Sequence, residues 1–179
     1  MGQVNADQVT LIETIEDART VQPPEGSNLA FATQTTLSVD DTAEIISVLQ
    51  FRFPDITGPR GEDICYATTN RQKAVKDVAN NVDLMLVIGA SNSSNSQRLV
   101  EVAKQAGATE AALIADKDAI VWEQTDKAGH IGLSAGASAP ESLVQDVIHA
   151  LAERYDLTVT EQGHIRETVN FKLPSILTQ

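Results

Sequence analysis

The feature that most constrains this chain is a repeated unit: an apolar segment, a loop of small and hydroxyl residues, and then an amphipathic helix. The three loops cover residues 33–38, 91–96 and 134–138. This alternation is typical of a parallel sheet, because parallel strands must be joined by crossover connections, usually helices. The sequence therefore predicts an α/β fold in which helices flank small parallel sheets.

Apolar periodicity and punctuation residues place the individual elements. Short apolar runs predict strands at residues 9–12, 29–32, 84–88, 111–114 and 131–133. Helical spacing predicts one helix over 15–20 and a second that begins after Ser38 as N-cap and stops before Pro54. Three more helices are predicted: one that contains Val75, one that is closed by Gly107, and one with Pro140 as its first helical residue. Strand-like pieces are also predicted around Val159 and over 169–171.

Composition and charge exclude several partners. Aromatic residues make up 4% of the 179 residues, so the core must be aliphatic, which suits packed α/β layers. The net charge is −12 and Lys or Arg runs are absent, which argues against nucleic acid. The longest apolar run, Leu84 to Ala90, is too short to span a membrane. With one cysteine and no targeting segment at the N-terminus, a cytoplasmic location is expected.

The three hydroxyl-rich loops form the first candidate site. In open α/β sheets, ligands bind beyond the carboxyl ends of the strands, where these loops should lie. Each loop also opens a helix, whose free N–H groups favour an anion, while Ser, Thr and Asn add short neutral donors. The pattern indicates a small phosphorylated or carboxylated ligand. Helix capping alone explains the same residues, since Ser, Thr and Asn are the preferred N-caps.

Cys65 is the second candidate, and the residues alone leave its role open. A lone cysteine is most simply a small buried hydrophobe. One thiol cannot hold a zinc or iron–sulfur site by itself. The residue composition alone therefore does not indicate a reactive or metal-ligating role for Cys65.

Four segments resemble those of a known family. Residues 63–72, DICYATTNRQ, closely resemble a signature of 4-hydroxy-3-methylbut-2-enyl diphosphate reductase, the iron–sulfur enzyme that ends the non-mevalonate route to isoprenoids. Residues 33–42, 92–96 and 135–140 resemble three further family segments, in the family's order and spacing. The resemblance extends over nearly the whole chain.

The resemblance implies specific roles. The family reduces its allylic diphosphate, with loss of the hydroxyl, to isopentenyl and dimethylallyl diphosphate, and ferredoxin or flavodoxin supplies the electrons. Three cysteines hold a [4Fe-4S] cluster, and Cys65 matches one of them. Thr35 matches a catalytic threonine beside the substrate hydroxyl that is linked to proton delivery. The remaining matches bind the diphosphate or line the pocket: Gln34, Thr36, Ser93, Ser94, Asn95 and Ser138.

The chain also departs from the family pattern. The other two cluster cysteines, the diphosphate-binding histidines and the His-Pro-Glu segment with the proton-supplying acid have no counterpart here. We therefore expect a carboxyl-terminal part of the enzyme, inactive alone, with Met1 matching an internal position. Residues 1–62 would end the middle domain, 63–154 would form the third domain, and 155–179 would pack on the first, so that one of the sheets is incomplete.

Two other interpretations remain open. The chain could be a non-catalytic module that binds phosphate or diphosphate, with Cys65 buried and inert. It could also be an unstable fragment that exposes apolar surface and associates.

Overall fold

The helices and strands of this chain alternate as the sequence predicts. The computed structural model describes residues 8–59 and 64–162. Six α-helices and one 3-10 turn lie in these ranges: α1 (Ile15–Thr20), α2 (Val39–Arg52), α3 (Tyr66–Ala79), α4 (Ser94–Gln105), the turn Lys117–Ala119, α5 (Trp122–Thr125) and α6 (Glu141–Arg154). The strands are β1 (Leu84–Ile88), β2 (Glu110–Ile114) and β3 (Ile131–Ala135). Across the described residues, no helix is long and apolar enough to span a membrane.

The three strands form one parallel sheet in the order β2-β1-β3, with Leu86 opposite Ala112 and Leu133. The central strand β1 is buried along its whole length because both of its faces are covered. Met85 and Val87 pack against α3 and α4, whereas Leu84, Leu86 and Ile88 face α6. The result is a three-layer α/β/α arrangement with an aliphatic core, as the composition predicts.

Local capping explains where several helices begin. The Ser38 hydroxyl accepts a hydrogen bond from the Asp41 N–H at 3.3 Å, which confirms Ser38 as the N-cap of α2. Gly107, just past α4, has φ +110° and so ends that helix in a left-handed conformation that favours glycine. Pro140 is the N-cap of α6 and not its first helical residue, because its ψ of 143° is extended.

The first part of the chain departs from the prediction. Residues 9–12 form no strand, and 29–32 contribute only a single parallel bridge between Ala30 and Thr57, with Ala30 exposed. A strand is stable only when neighbours pair with it and cover a face, and the described residues offer this segment no further strand. The second sheet expected here is therefore not formed within the described ranges. Val159 lies outside any strand, and 169–171 lie outside the described residues.

Candidate functional site

The sheet has a switch point between β1 and β3. After β1 the chain continues into α4 on one face, and after β3 it continues into α6 on the opposite face. The two connecting loops, 91–96 and 134–138, therefore diverge at the carboxyl ends of neighbouring strands, and we call the position between them the crevice. Crevices of this kind are where open α/β sheets bind their ligands. Two of the three hydroxyl-rich loops, 91–96 and 134–138, lie at this point, as the sequence predicts.

Ser96 joins the two loops at the base of the crevice. Its side chain is buried, and its hydroxyl donates to the Ser93 hydroxyl at 3.0 Å. The Ser93 hydroxyl also accepts from the Ser96 N–H at 3.3 Å, which makes Ser93 the N-cap of α4. Gly89 and Gly136 lie directly against Ser96: a Cβ at either position would come within 2.1 or 2.3 Å of the Ser96 hydroxyl. The absence of side chains at these two glycines allows the loops to approach closely.

Asn95 is the most informative residue of the crevice. Both polar atoms of its side chain, Nδ2 and Oδ1, are buried without a hydrogen-bond partner. Its amide lies near Gly136, since a Cβ there would be 3.7 Å from Nδ2. A buried polar group without a partner costs about 1–3 kcal/mol, so such a group calls for an explanation, and a ligand that hydrogen-bonds the amide is one.

The other predicted residues of these loops are exposed. Ser94 is the first residue of α4, and Ser138 lies two residues before the N-cap of α6. Their hydroxyls are therefore accessible to a ligand that enters the crevice. The structure brings both loops to one edge of the sheet, and neither Ser94 nor Ser138 is the N-cap of its helix, since Ser93 holds that position in α4 and Pro140 in α6.

The third loop lies beside Cys65. The Thr35 carbonyl accepts a hydrogen bond from the Cys65 N–H at 3.3 Å, which places these two predicted site residues next to each other. Gln34 and Thr35 are exposed and Thr36 is half-buried. Cys65 is the N-cap of α3 and is exposed. Cys65 is therefore not buried, so the expectation that it packs as a small buried hydrophobe is wrong.

Two neighbouring residues escaped the sequence interpretation although both lie in the 63–72 segment. Gln72 is buried, and its amide bonds both the Val39 N–H and the Leu37 carbonyl. Arg71 donates to the Ala135 carbonyl at 3.2 Å, which ties α3 to the end of β3. Both act over long sequence separations, so no local pattern could have identified them.

The described residues fit only one corner of an iron–sulfur cluster. An exposed thiol at a helix start can serve as a ligand, and thiolates are the usual ligands of such clusters. Cys65 is, however, the single cysteine of the chain. Nor do the described ranges contain a group of three or more His, Cys, Asp or Glu side chains that could hold a metal ion. This chain alone therefore does not complete a cluster site.

Together, the fold and this crevice define an α/β protein with a candidate ligand site at the switch point of a parallel sheet. Comparison with known proteins identifies it further. The family model of the LytB protein matches residues 1–152, so the chain belongs to the LytB family.

Curated relatives share the match. The chain is 59% identical over 177 residues to a 4-hydroxy-3-methylbut-2-enyl diphosphate reductase of Hyphomonas neptunium, covering 99% of this chain and 56% of that protein. It is 55% identical to the reductase of Gluconobacter oxydans over 177 residues, covering 99% of this chain and 53% of that one. The chain thus spans about half the length of the curated relatives it matches.

A solved structure agrees. The structure of the E-1-hydroxy-2-methyl-but-2-enyl-4-diphosphate reductase from Plasmodium falciparum matches with a TM-score of 0.82 and 32% identity, covering 93% of this chain and 53% of that chain. The family resemblance inferred from the four segments is therefore confirmed, and so is the α/β fold class.

Proposed function

We propose that this chain is the carboxyl-terminal part of a 4-hydroxy-3-methylbut-2-enyl diphosphate reductase, and that its crevice between β1 and β3 binds the diphosphate of the substrate. The observation that carries the proposal is the Asn95 amide, buried at the start of α4 with both polar atoms unpartnered. A diphosphate oxygen would accept from Nδ2, which would remove the cost of leaving this donor unpaired.

The start of α4 supplies further donors to the same anion. The first N–H groups of a helix have no intrahelical partner, and the cap on Ser93 occupies the one at Ser96. The N–H groups of Ser94 and Asn95 therefore remain for a ligand, where the helix dipole favours negative charge. The Ser93 hydroxyl accepts from both the Ser96 N–H and the Ser96 hydroxyl, so its own hydrogen can point to the ligand. Ser94 and Ser138 add exposed hydroxyls.

The loop that contains Gln34, Thr35 and Thr36 would form the other end of the pocket. The hydrogen bond from the Cys65 N–H to the Thr35 carbonyl supports this, because the family resemblance assigns Cys65 to the [4Fe-4S] cluster and Thr35 to the substrate hydroxyl. The cluster, when bound, supplies the electrons of the reduction, which a ferredoxin or flavodoxin would deliver. Since this chain holds one thiolate of three, we assign it no electron-transfer step.

Titration with pyrophosphate tests the anion site. We expect calorimetry to show saturable binding to the 179-residue chain, and Asn95→Asp to weaken it at least tenfold. The substitution preserves shape but replaces the amide donor with a negative charge. Asn81→Asp is the matched control, because it adds the same charge at an exposed turn before β1, at the other end of the sheet. Absence of heat together with an unchanged melting temperature, or equal weakening by both variants, would reject the site.

Iron incorporation separates the reductase from the alternative, an anion-binding module in which Cys65 has no ligand role. The chain would be co-expressed with the amino-terminal half of the Hyphomonas neptunium relative, and iron would be measured in the purified complex. We expect iron to depend on Cys65, so that Cys65→Ser lowers the iron content several-fold. Equal iron with and without the thiol favours the module.

A further inference from the structure

A buried glutamine connects the two halves of the proposed site. Gln72 lies in the middle of α3 and is 1% exposed. Its Oε1 accepts from the Val39 N–H at 3.0 Å, and its Nε2 donates to the Leu37 carbonyl at 2.8 Å. We propose that Gln72 is a positioning residue that holds the loop 34–37 against the start of α3, and so fixes Thr35 beside Cys65.

The chemistry of the contact favours an amide at this position. Leu37 presents an acceptor and Val39 presents a donor, and both belong to the short stretch where the loop becomes α2. A side-chain amide offers one acceptor and two donors on a planar group, so it satisfies both backbone groups at once. A carboxylate only accepts, and an ammonium only donates. A buried amide with both partners in place fixes one arrangement of the loop, because breaking either hydrogen bond leaves a buried polar group without a partner.

Other contacts at this junction are weaker constraints. Two ion pairs also join α2 to its neighbours: Lys76 Nζ lies 2.5 Å from Asp40 Oδ2, and Arg98 Nη1 lies 3.7 Å from Asp41 Oδ2. Both are partly or largely exposed, and exposed pairs contribute little geometric constraint because solvent and salt screen them. α2 otherwise packs mainly against α1. Among the described residues, Gln72 is therefore a buried contact that holds the loop in place.

The positioning role of Gln72 rests on the proposed function, because that function places the loop 34–37 and Cys65 in the same substrate pocket. Its test does not require a ligand. The readout is amide hydrogen exchange of the intact chain by NMR at two positions. The Val39 N–H reports the bond that Gln72 makes. The Cys65 N–H reports the bond to the Thr35 carbonyl, which Gln72 does not touch.

Gln72→Met removes both hydrogen bonds at nearly constant length. We expect protection at Val39 to fall roughly tenfold, the effect of one lost buried hydrogen bond, and protection at Cys65 to fall roughly three- to tenfold. Amides of β1 should stay within twofold, since the sheet does not depend on the loop. Gln145→Met is the matched control, because Gln145 is exposed on α6 and bonds only Glu141 among the described residues.

Gln72→Glu provides a conditional rescue that packing alone would not produce. The buried carboxyl should have a raised pKa, since burial and the Leu37 carbonyl both oppose its charge. When protonated, it again donates to Leu37 and accepts from Val39. We expect protection at Cys65 to approach the unsubstituted level at pH 5.5, one unit above the pI of about 4.5, and to be lost by pH 8.5. The unsubstituted chain, measured over the same range, controls for pH effects that do not involve position 72, including any at the nearby charged side chains Asp40, Asp41 and Lys76.

The outcomes are distinct. Unchanged protection at Cys65 with loss at Val39 would make Gln72 a local bond and overturn the inference. Equal loss throughout β1 would make it a general stability residue and also overturn it. A failed pyrophosphate titration with the expected exchange pattern would reject the anion site while leaving the positioning role intact.

Discussion

The packing of two glycines against Ser96 gives a quantitative test of how the crevice is built. Neither Gly89 nor Gly136 has a positive φ, so the only obstacle to alanine at either position is space. At Gly136 a Cβ would lie 2.3 Å from the Ser96 hydroxyl oxygen and 3.5 Å from its Cβ. At Gly89 the two distances are 2.1 and 2.6 Å. Ordinary contact begins at about 3.4 Å.

These distances predict that removing the Ser96 hydroxyl oxygen will restore stability to an alanine variant at Gly136 but not to one at Gly89. Gly136→Ala and Gly89→Ala should each destabilise by about 1–3 kcal/mol, the usual cost of overpacking. Ser96→Ala should cost about 1 kcal/mol through the lost bond to Ser93. In the double variant with Gly136→Ala the clash disappears, since the remaining contacts, 3.5 Å to the Cβ of residue 96 and 3.7 Å to Asn95 Nδ2, are of ordinary length. With Gly89→Ala the 2.6 Å carbon contact persists, so Ser96→Ala should not rescue it.

Urea unfolding followed by circular dichroism, arranged as two double-mutant cycles, measures this difference. We expect a favourable coupling of about 1–2 kcal/mol for the Gly136 cycle, and a clearly smaller one for the Gly89 cycle. In thermal melts, each kcal/mol corresponds to roughly 2–4 °C for a chain of this size. Equal coupling in the two cycles, or a Gly136→Ala variant as stable as the parent, would refute this account of the crevice.

Two further predictions concern charge and activity. The pKa of Asp126 is lowered by hydrogen bonds from Arg154 and then Tyr155, so its carboxylate stabilises the fold above about pH 4, the unfolded value, and loses this effect as pH falls through the lower folded value. Asp126→Asn should therefore be less stable than the parent by a constant amount from pH 7 to 5. In urea titrations the gap should close as the pH falls below about 4, the unfolded value, and a gap that widens in acid contradicts this. The chain by itself should show no reductase activity, because it holds one cysteine for a cluster of three thiolates; turnover accompanied by a stable cubane spectrum would reject this expectation.

Several elements of the chain can be predicted from local sequence pattern. The run from Leu84 to Ile88 is apolar at every position, and the structure buries all five residues because helices cover both faces. Ser38 and Ser93 act as N-caps, as hydroxyl residues before a helix should. Apolar runs and N-cap residues are local signals, so the sequence alone predicts these elements, whereas the helices that bury β1 come from distant parts of the chain. The four family segments likewise identify the LytB family without coordinates.

Other features were decided only by tertiary structure. Residues 29–32 are as apolar as a strand, yet they form a single bridge, because strand formation depends on partners that local sequence does not specify. A lone cysteine is most simply a buried hydrophobe, but Cys65, at the N-cap of α3, is exposed.

Contacts between distant parts of the chain also decide the site. The Asn95 amide is buried without a partner, and Gln72 bonds Val39 and Leu37, which precede it by 33 and 35 positions. Periodicity and capping report which elements form, since their energies are local. The arrangement of loops around a crevice depends on which strands are neighbours and on which face each helix packs. That is why the residue types of the site could be predicted from sequence, but not the contacts among them.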